Sequence, residues 1–303
     1  MEFRNIVTFL KVAELKNFSK AAEKLGYSQS AVTVQIQQLE KELGVRLFER
    51  VGKGVALTES GQDFVFHANE ILNTTRQAVE SVKNHGKHPD QKEITGILKV
   101  GSVESVSTAL LPEILMAFHR VCPRVEIVVR TAKRDALIEE IKENSLDLFL
   151  TLEKKTDYLG LVRRLLREEE IIFIAPQKML PERGKVPLED LARLPFVLTE
   201  QGESYRYELD RMLAEQDLQI RAQLEIGNTE TIVHMVEAGF GASFLPHYSA
   251  AKALEEGTVS RVETAFRPLS MWLQLYYHKN KWISPQMDAF LSVAEEYFDT
   301  QEG

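Results

Sequence analysis

A change of apolar spacing near residue 88 constrains this chain more than any other feature. Before it, apolar side chains recur every three to four residues, the period of one face of an α-helix; after it, short apolar runs alternate with helical stretches. The break itself, Gly86 to Lys92 with Pro89 inside it, interrupts the helical pattern and reads as a linker. Two textures in 303 residues predict two domains, in line with a prior of about 150 residues each.

The first part holds four helical patterns. Glu2 to Glu14 places Phe3, Ile6, Val7, Leu10 and Ala13 on one stripe. A second pattern opens at Ser19, a candidate N-cap, and stops at Gly26, a residue able to take the left-handed conformation that ends helices. Ser28 caps a third, running to Leu43-Gly44. Ala31, Val32, Ile36, Leu39 and Leu43 face inward on it, while Gln29, Ser30, Thr33, Gln37 and Lys41 lie mostly on the other side. Two short helices joined by a tight glycine-containing turn make a helix-turn-helix. Val45 to Arg50 and Val55 to Thr58, either side of Gly52-Lys53-Gly54, form a β-hairpin that reads as a wing. Thr58 then caps a long helix on which Gly61, Phe64, Ala68, Ile71, Thr75, Ala78 and Val82 recur at alternating steps of three and four. Such a seam suits packing on its own domain or pairing with a second copy. The even alternation and the polar remaining faces favour pairing, which makes Phe64, Ala68, Ile71, Ala78 and Val82 candidate dimer contacts.

Composition narrows the classes further. With 44% hydrophobic and 27% charged residues the chain can bury ordinary cores. No uninterrupted apolar run approaches the ~20 residues of a membrane helix, and the N-terminus lacks the pattern of a secretory signal. One cysteine, Cys122, cannot form an internal disulfide or a structural zinc site alone, and the seven histidines are scattered without ligand spacing. The expected class is a soluble, cytoplasmic protein without membrane contact, metal or cofactor. Its net charge of −8 argues at face value against nucleic acid. Residues 1–90 sum to +1 and residues 91–303 to −9, so the acidity belongs to the C-terminal part and a basic face remains possible on the other.

After the linker, Ile97 to Val100, Val125 to Val129 and Leu146 to Leu150 read as strands separated by helices over Thr108 to Arg120 and Asp135 to Glu143. This βαβαβ order predicts a parallel sheet. Strand-like Glu170 to Ala175, Phe196 to Leu198, Glu225-Ile226 and Ala242 to Leu245 follow, with helices over Pro187 to Arg193, Ser204 to Asp217 and Glu230 to Ala238. A long strand, Leu269 to His278, and a helix, Ser284 to Phe298, close the chain. Two α/β lobes with a returning tail predict a cleft, because open sheets bind ligands beyond their strand ends. Candidate contacts there are Ser102, Glu104, Ser105, Thr131 and Thr151 on one side and Thr199, Glu200, Gln201 and Asn228 on the other. Hydroxyls and free helix N–H groups suit an oxyanion, whereas Glu104, Glu200 and Glu203 favour an amine or hydroxyl; plain helix capping accounts for any single one of the hydroxyls equally well.

The first 61 residues resemble the DNA-binding region of the LysR-type transcriptional regulators. Phe9-Leu10, Val12-Ala13, Ser19 to Ala22, Leu25, Ser28 to Thr33, Gln35-Ile36, Leu39-Glu40, Leu43-Gly44, Leu47-Phe48, Arg50 and Leu57 to Gly61 carry the resemblance, in order and without gaps. Leu111-Pro112, Asp147-Leu148 and Gly239 to Gly241 leading to Leu245-Pro246 extend it into a region similar to type 2 periplasmic binding proteins. The resemblance implies a multidomain protein: a winged helix-turn-helix over 1–58, a linker helix over 59–87, a hinge over 88–93 and an α/β two-lobed effector domain over 94–303. Lobe one is then 94–164 with 268–303, and lobe two is 165–267. It also implies a homodimer or dimer of dimers on double-stranded DNA of dyad character, governed by a small metabolite in the cleft.

A recognition helix presents its N-terminal side chains to base edges. Here these are Ser28, Gln29, Ser30 and Thr33, with Gln37 a turn further on; Arg50 and Lys53 at the wing have the charge to grip phosphates. For Arg50 the competing partner is Glu49 or Glu42. Val34 stands where many family members carry a basic residue, which leaves it to touch a thymine methyl or to pack internally, and Lys53 stands where Arg is common. An enzyme built on Ser102, His234 and Asp147 lacks a nucleophile elbow, phosphate loop or metal pair. A transporter's solute-binding protein is opposed by the helix-turn-helix. The reading is a ligand-responsive DNA-binding regulator.

Overall fold

A computed structural model describes residues 1–51, 54–84, 94–180, 184–264 and 269–300. It divides into two units, Met1–Gly96 with Ile138–Leu146, and Ile97–Leu137 with Asp147–Gly303.

In the first unit α1 (Phe3–Leu15), α2 (Phe18–Leu25) and α3 (Gln29–Leu43) pack together. Asn17, not Ser19, caps α2: its side chain accepts from the Lys20 amide at 3.0 Å, and the helix starts at Phe18, two residues earlier than a Ser19 cap allows. Ser28 caps α3 by accepting from the Ala31 amide at 3.2 Å, as its place before an apolar-periodic run required. The core is Ile6, Phe9 and Val12 of α1 against Val32, Ile36 and Leu39 of α3. Phe48 joins it from the wing, where β1 (Phe48–Val51) pairs antiparallel with β2 (Gly54–Leu57). Glu40 Oε1 accepts from the Leu47 and Phe48 amides, at 2.7 and 3.2 Å, and so fastens the wing to α3.

Helix α4 (Glu59–Asn84) begins where Thr58 Oγ1 accepts from the Gly61 amide at 3.0 Å. A Cβ on Gly61 would stand 2.1 Å from the Leu47 carbonyl oxygen, so only glycine fits there. The upper half of the expected dimer seam is used otherwise. Ala68 is fully enclosed, Phe64 packs edge-on against Phe9 at 5.0 Å, and Ile71 lies against the same core. A residue with no exposed surface cannot meet a second copy, so Ala68 belongs to its own domain, while Phe64 and Ile71 pack on the same core and stay half-buried. Ala78 is exposed; Val82 lies on α4, with its side chain outside the described residues.

After α4 the chain order is β3 (Thr95–Ser102), α5 (Glu104–Ala109), α6 (Leu111–Val121), β4 (Arg124–Thr131), α7 (Arg134–Lys142), whose second half from Ile138 counts with the first unit, and β5 (Leu148–Glu153). Next come β6 (Leu161–Ala175), α8 (Leu188–Leu191), β7 (Phe196–Leu198), α9 (Ser204–Ala214), β8 (Ala222–Glu225), α10 (Thr229–Glu237) and β9 (Ser243–Pro246). The chain finishes with α11 (His247–Glu255), β10 (Ser260–Arg261), β11 (Leu269–His278) and α12 (Pro285–Asp299). β3 and β5 are parallel, with Val100 opposite Leu148. The later strands of this sheet do not continue the parallel order: β11 runs antiparallel to both β5 and β6, and β9 and β10 run antiparallel to β6.

The physical reason is the length of β6. Its first half, with Arg163, Arg164 and Arg167, carries too much charge to read as a strand, yet it pairs with β11 on one edge and extends into Ile171–Ala175, which is wholly buried. β6 and β11 thus carry the chain from one lobe to the other, and the boundary expected at 164/165 falls inside β6. β7 and β8 form a separate parallel pair in lobe two. Beside it Gly241 is forced, since a Cβ would approach the Pro195 carbonyl oxygen to 2.2 Å.

Candidate functional site

The described residues present two surfaces with chemistry to offer, one in each unit. On α3 the exposed face is Gln29, Ser30, Val34, Gln37 and Gln38. Gln29 Oε1 accepts from Ser19 Oγ at 2.9 Å, which orients the amide and leaves Nε2 without a partner among the described residues. Ser28 and Ser30 hydroxyls bond each other at 3.0 Å, and Thr33 Oγ1 donates to the Gln29 carbonyl at 2.9 Å. Ser19, expected as a cap, thus bonds a residue on the exposed face of α3 instead. Arg50 lies in β1 with its side chain outside the described residues, and Lys53 is outside them altogether.

In the second unit the residues at the strand ends meet across the lobes. Glu104, the first residue of α5, reaches the N-terminus of α10. Its Oε1 accepts from Asn228 Nδ2 at 2.8 Å and from the Thr229 amide at 3.1 Å; its Oε2 accepts from the same amide at 3.2 Å. Asn228 meanwhile caps α10 through the Thr231 amide at 2.8 Å. A carboxylate on a helix N-terminus meets the positive end of the dipole and an otherwise orphaned N–H. Four further bridges run between the lobes: Ser105 Oγ with the Tyr248 hydroxyl at 3.0 Å, Lys133 with Glu200 at 2.8 Å, Ser204 Oγ to the Leu152 carbonyl at 2.7 Å, and Lys154 with Glu208 at 2.6 Å.

The other expected contacts are placed differently. Ser102 is enclosed, and its hydroxyl donates to the Val103 carbonyl at 3.0 Å. Thr131 bonds Ser107 within its own lobe at 2.8 Å, and Gln201 is exposed. Thr199 is buried and its carbonyl accepts from Arg206. Thr151 is buried with Oγ1 unpartnered. Two residues along β5, on the same side of the strand, Glu153 is also buried. Its Oε2 accepts from the Tyr158 hydroxyl at 2.7 Å and lies 3.3 Å from Arg134, while Oε1 has no partner. Burial raises the Glu153 carboxyl above its ordinary value, against the pull of Tyr158 and Arg134. Glu203, which precedes α9, is likewise raised, by burial first and then by the Glu104 and Glu200 carboxylates, against the opposing charges of Lys133 and Arg134.

Sequence reading missed Lys133, Glu153, Glu208 and Tyr248 as cleft residues, whereas the segment from Thr199 to Ser204 that it singles out does contain Ser204. Ser204 at a helix start carried a usable signal; Tyr248 lies on α11, a helix the apolar pattern did not reveal. A separate cavity of about 150 Å³ lies inside lobe two, lined by Ile171, Phe173, Met212, Phe244 and Arg261 among others, and none of the expected contacts borders it.

Residues 3–62 match the family described as bacterial regulatory helix-turn-helix protein, lysR family, and residues 91–299 match the LysR substrate binding domain. The chain belongs to the LysR family. It is 32% identical to the uncharacterized HTH-type transcriptional regulator YwqM of Bacillus subtilis, over 98% of this chain and 100% of that one. Among solved structures, LysG of Corynebacterium glutamicum with bound effector arginine aligns with a TM-score of 0.72 at 16% identity, covering 99% of both chains. A full-length OxyR variant from Pseudomonas aeruginosa aligns at 0.67 and 22%, covering 98% of this chain and 94% of that one. The protein is therefore a DNA-binding LysR-type transcriptional regulator with an effector-binding domain, and not an enzyme. Among the described residues no helix is long and apolar enough to cross a membrane.

Proposed function

We propose that this regulator binds a small polar metabolite between the two lobes of its effector domain, and that the occupied state changes its binding to a specific DNA site. The observation that carries the reading is the crowding of lobe-to-lobe bridges around β5, beside two buried atoms with no partner, Thr151 Oγ1 and Glu153 Oε1. Buried polar atoms cost free energy unless something bonds them. A polar ligand supplies that something. LysG, of the same fold, holds an effector arginine, which supports a small polar occupant here.

A ligand preferring closed lobes shifts the population by its differential affinity, and α4 conveys the shift to the DNA heads. The regulator acts in the cytoplasm without a cofactor, as a homodimer or dimer of dimers on a site of dyad character. Ala78 and Val82, on the part of α4 beyond the domain core, are the residues left to form the pairing seam.

The test is a thermal-shift screen of the full chain against small polar metabolites, followed by calorimetry with Thr151→Val. The expected result is one metabolite that stabilises the protein and alters its DNA affinity, bound several-fold more weakly by the variant. If no metabolite does both, or the variant binds it equally, the cleft reading is wrong.

A further inference from the structure

Val34 carries the inference. A helix advances 100° per residue, which sets Val34 roughly 165° from the mean direction of Val32, Ile36 and Leu39, the three side chains that α3 buries. It is 59% exposed, so it does not pack internally. Its neighbours one turn away are the half-buried Ala31 and the exposed Ser30, Gln37 and Gln38, all uncharged. Between Gln29 and Leu39 the helix carries no charged residue. Glu40, the next acid, is turned back to the Leu47 and Phe48 amides. The centre of this face is therefore an apolar branched side chain framed by amides and hydroxyls, its first cation, Lys41, standing two turns further on.

Of the groups displayed in the major groove, the C5-methyl of thymine is the apolar one. We propose that Val34 reads a thymine methyl, making it a specificity-determining residue of this regulator. The proposal rests on α3 being the helix that enters the groove. Gln29, held by Ser19 of α2, lies five residues before Val34 on α3, about 140° around the helix and about 7.5 Å along it, so the two side chains meet different bases of the same site. The first cation on this face is Lys41, two turns beyond Val34, and the exposed Lys20 and Lys24 of α2 offer further charges for phosphates.

The experiment uses a duplex selected from a random pool by the full-length protein. Each thymine in turn is replaced by deoxyuridine, which removes only the methyl. With about 0.8 kcal/mol per buried methyl group, one thymine per half-site should cost the wild type about fourfold in affinity when so replaced. Val34→Ala should bind the intact duplex about as weakly as the wild type binds the demethylated one, and should lose sensitivity to that thymine alone. Val34→Ile should keep it. Because the side chain is exposed, neither change threatens folding. If no thymine couples to residue 34 while Gln29→Ala still alters the selected sequence, α3 reads the groove but Val34 does not read a methyl. If Gln29→Ala also leaves sequence and affinity unchanged, the placement of α3 in the groove fails and the proposal with it.

Discussion

Replacing Glu104 with Ala removes the carboxylate that joins α5 to α10, and the cost follows from its three donors. Thr108 Oγ1 and Asn228 Nδ2 are half-buried and find water, so their loss is small. The Thr229 amide is different. Thr229 is 1% exposed, and its amide loses the acceptor that satisfies it. A buried donor left unpaired costs about 1–3 kcal/mol, and withdrawal of a negative charge from a helix N-terminus costs about 0.3–1 kcal/mol more. About 2 kcal/mol of lobe closure should disappear, a factor of about 30 in the closed-to-open ratio. Glu104→Gln keeps an acceptor and drops the charge, so about 1 kcal/mol should go, or roughly fivefold.

Amide hydrogen exchange reads this at one atom. Protection of the Thr229 amide should fall by up to about 30-fold in Glu104→Ala and by less in Glu104→Gln. The Ala238 amide, which bonds His234 within the last turn of α10, should not change. Thr229 protection within twofold of the wild type would show that the carboxylate does not hold the lobes together. Loss at both amides would show that it holds α10 itself.

Four further outcomes follow from particular contacts. Gly61→Ala must displace the Leu47 carbonyl and should destabilise the first unit by about 1–3 kcal/mol, measured by thermal unfolding. Asn17→Ala should cost about 1 kcal/mol of stability as the lost cap of α2, whereas Ser19→Ala should leave stability nearly unchanged and relax base preference by freeing Gln29. Glu203 binds its proton more tightly folded than unfolded, so stability should fall as pH rises through the window between its unfolded and raised folded values. Glu203→Gln should remove that fall, its melting temperature gaining on the wild type towards neutral pH and matching it in acid. Ala78→Asp should lower the sedimenting mass with little change in melting temperature, whereas Ile71→Asp should lower the melting temperature first, because Ile71 packs on the domain core.

What could be read from the residues follows how local the physics is. Helix ends with a polar cap before an apolar stripe were legible, as at Ser28 and Thr58, because the cap and the amide it serves are three residues apart. Asn17 was passed over for Ser19, since both residue types cap and only the backbone decides which stands first. The seam on α4 shows the next level. Its spacing marks an apolar stripe, but spacing cannot say what buries it: the winged domain encloses Ala68 and packs Phe64 and Ile71 on its core, while Thr75 and Ala78 stay exposed. The first half of β6 was lost for the opposite reason. Its arginines conceal a strand whose pairing is supplied by β11, more than 90 residues away.

The cleft is the hardest case, because its residues take their meaning from partners on another lobe. Glu104, Ser105, Glu200 and Asn228 were correctly placed at the strand and helix ends, yet in the structure they hold one another, not open space. Each bridge spends a group that a ligand would otherwise meet. The buried atoms left over at these strand ends are Thr151 Oγ1 and Glu153 Oε1 on β5 and Thr199 Oγ1 on the other side, which no contact among the described residues satisfies. An effector that binds here must therefore satisfy these β5 atoms or displace a bridge. A ligand that satisfies them adds to the bridges and favours closure; one that displaces Glu104 from α10 removes about 2 kcal/mol of closure for whatever it brings. The sign of the response to an effector is thus set by whether Glu104 stays in place, which the Thr229 amide reports directly.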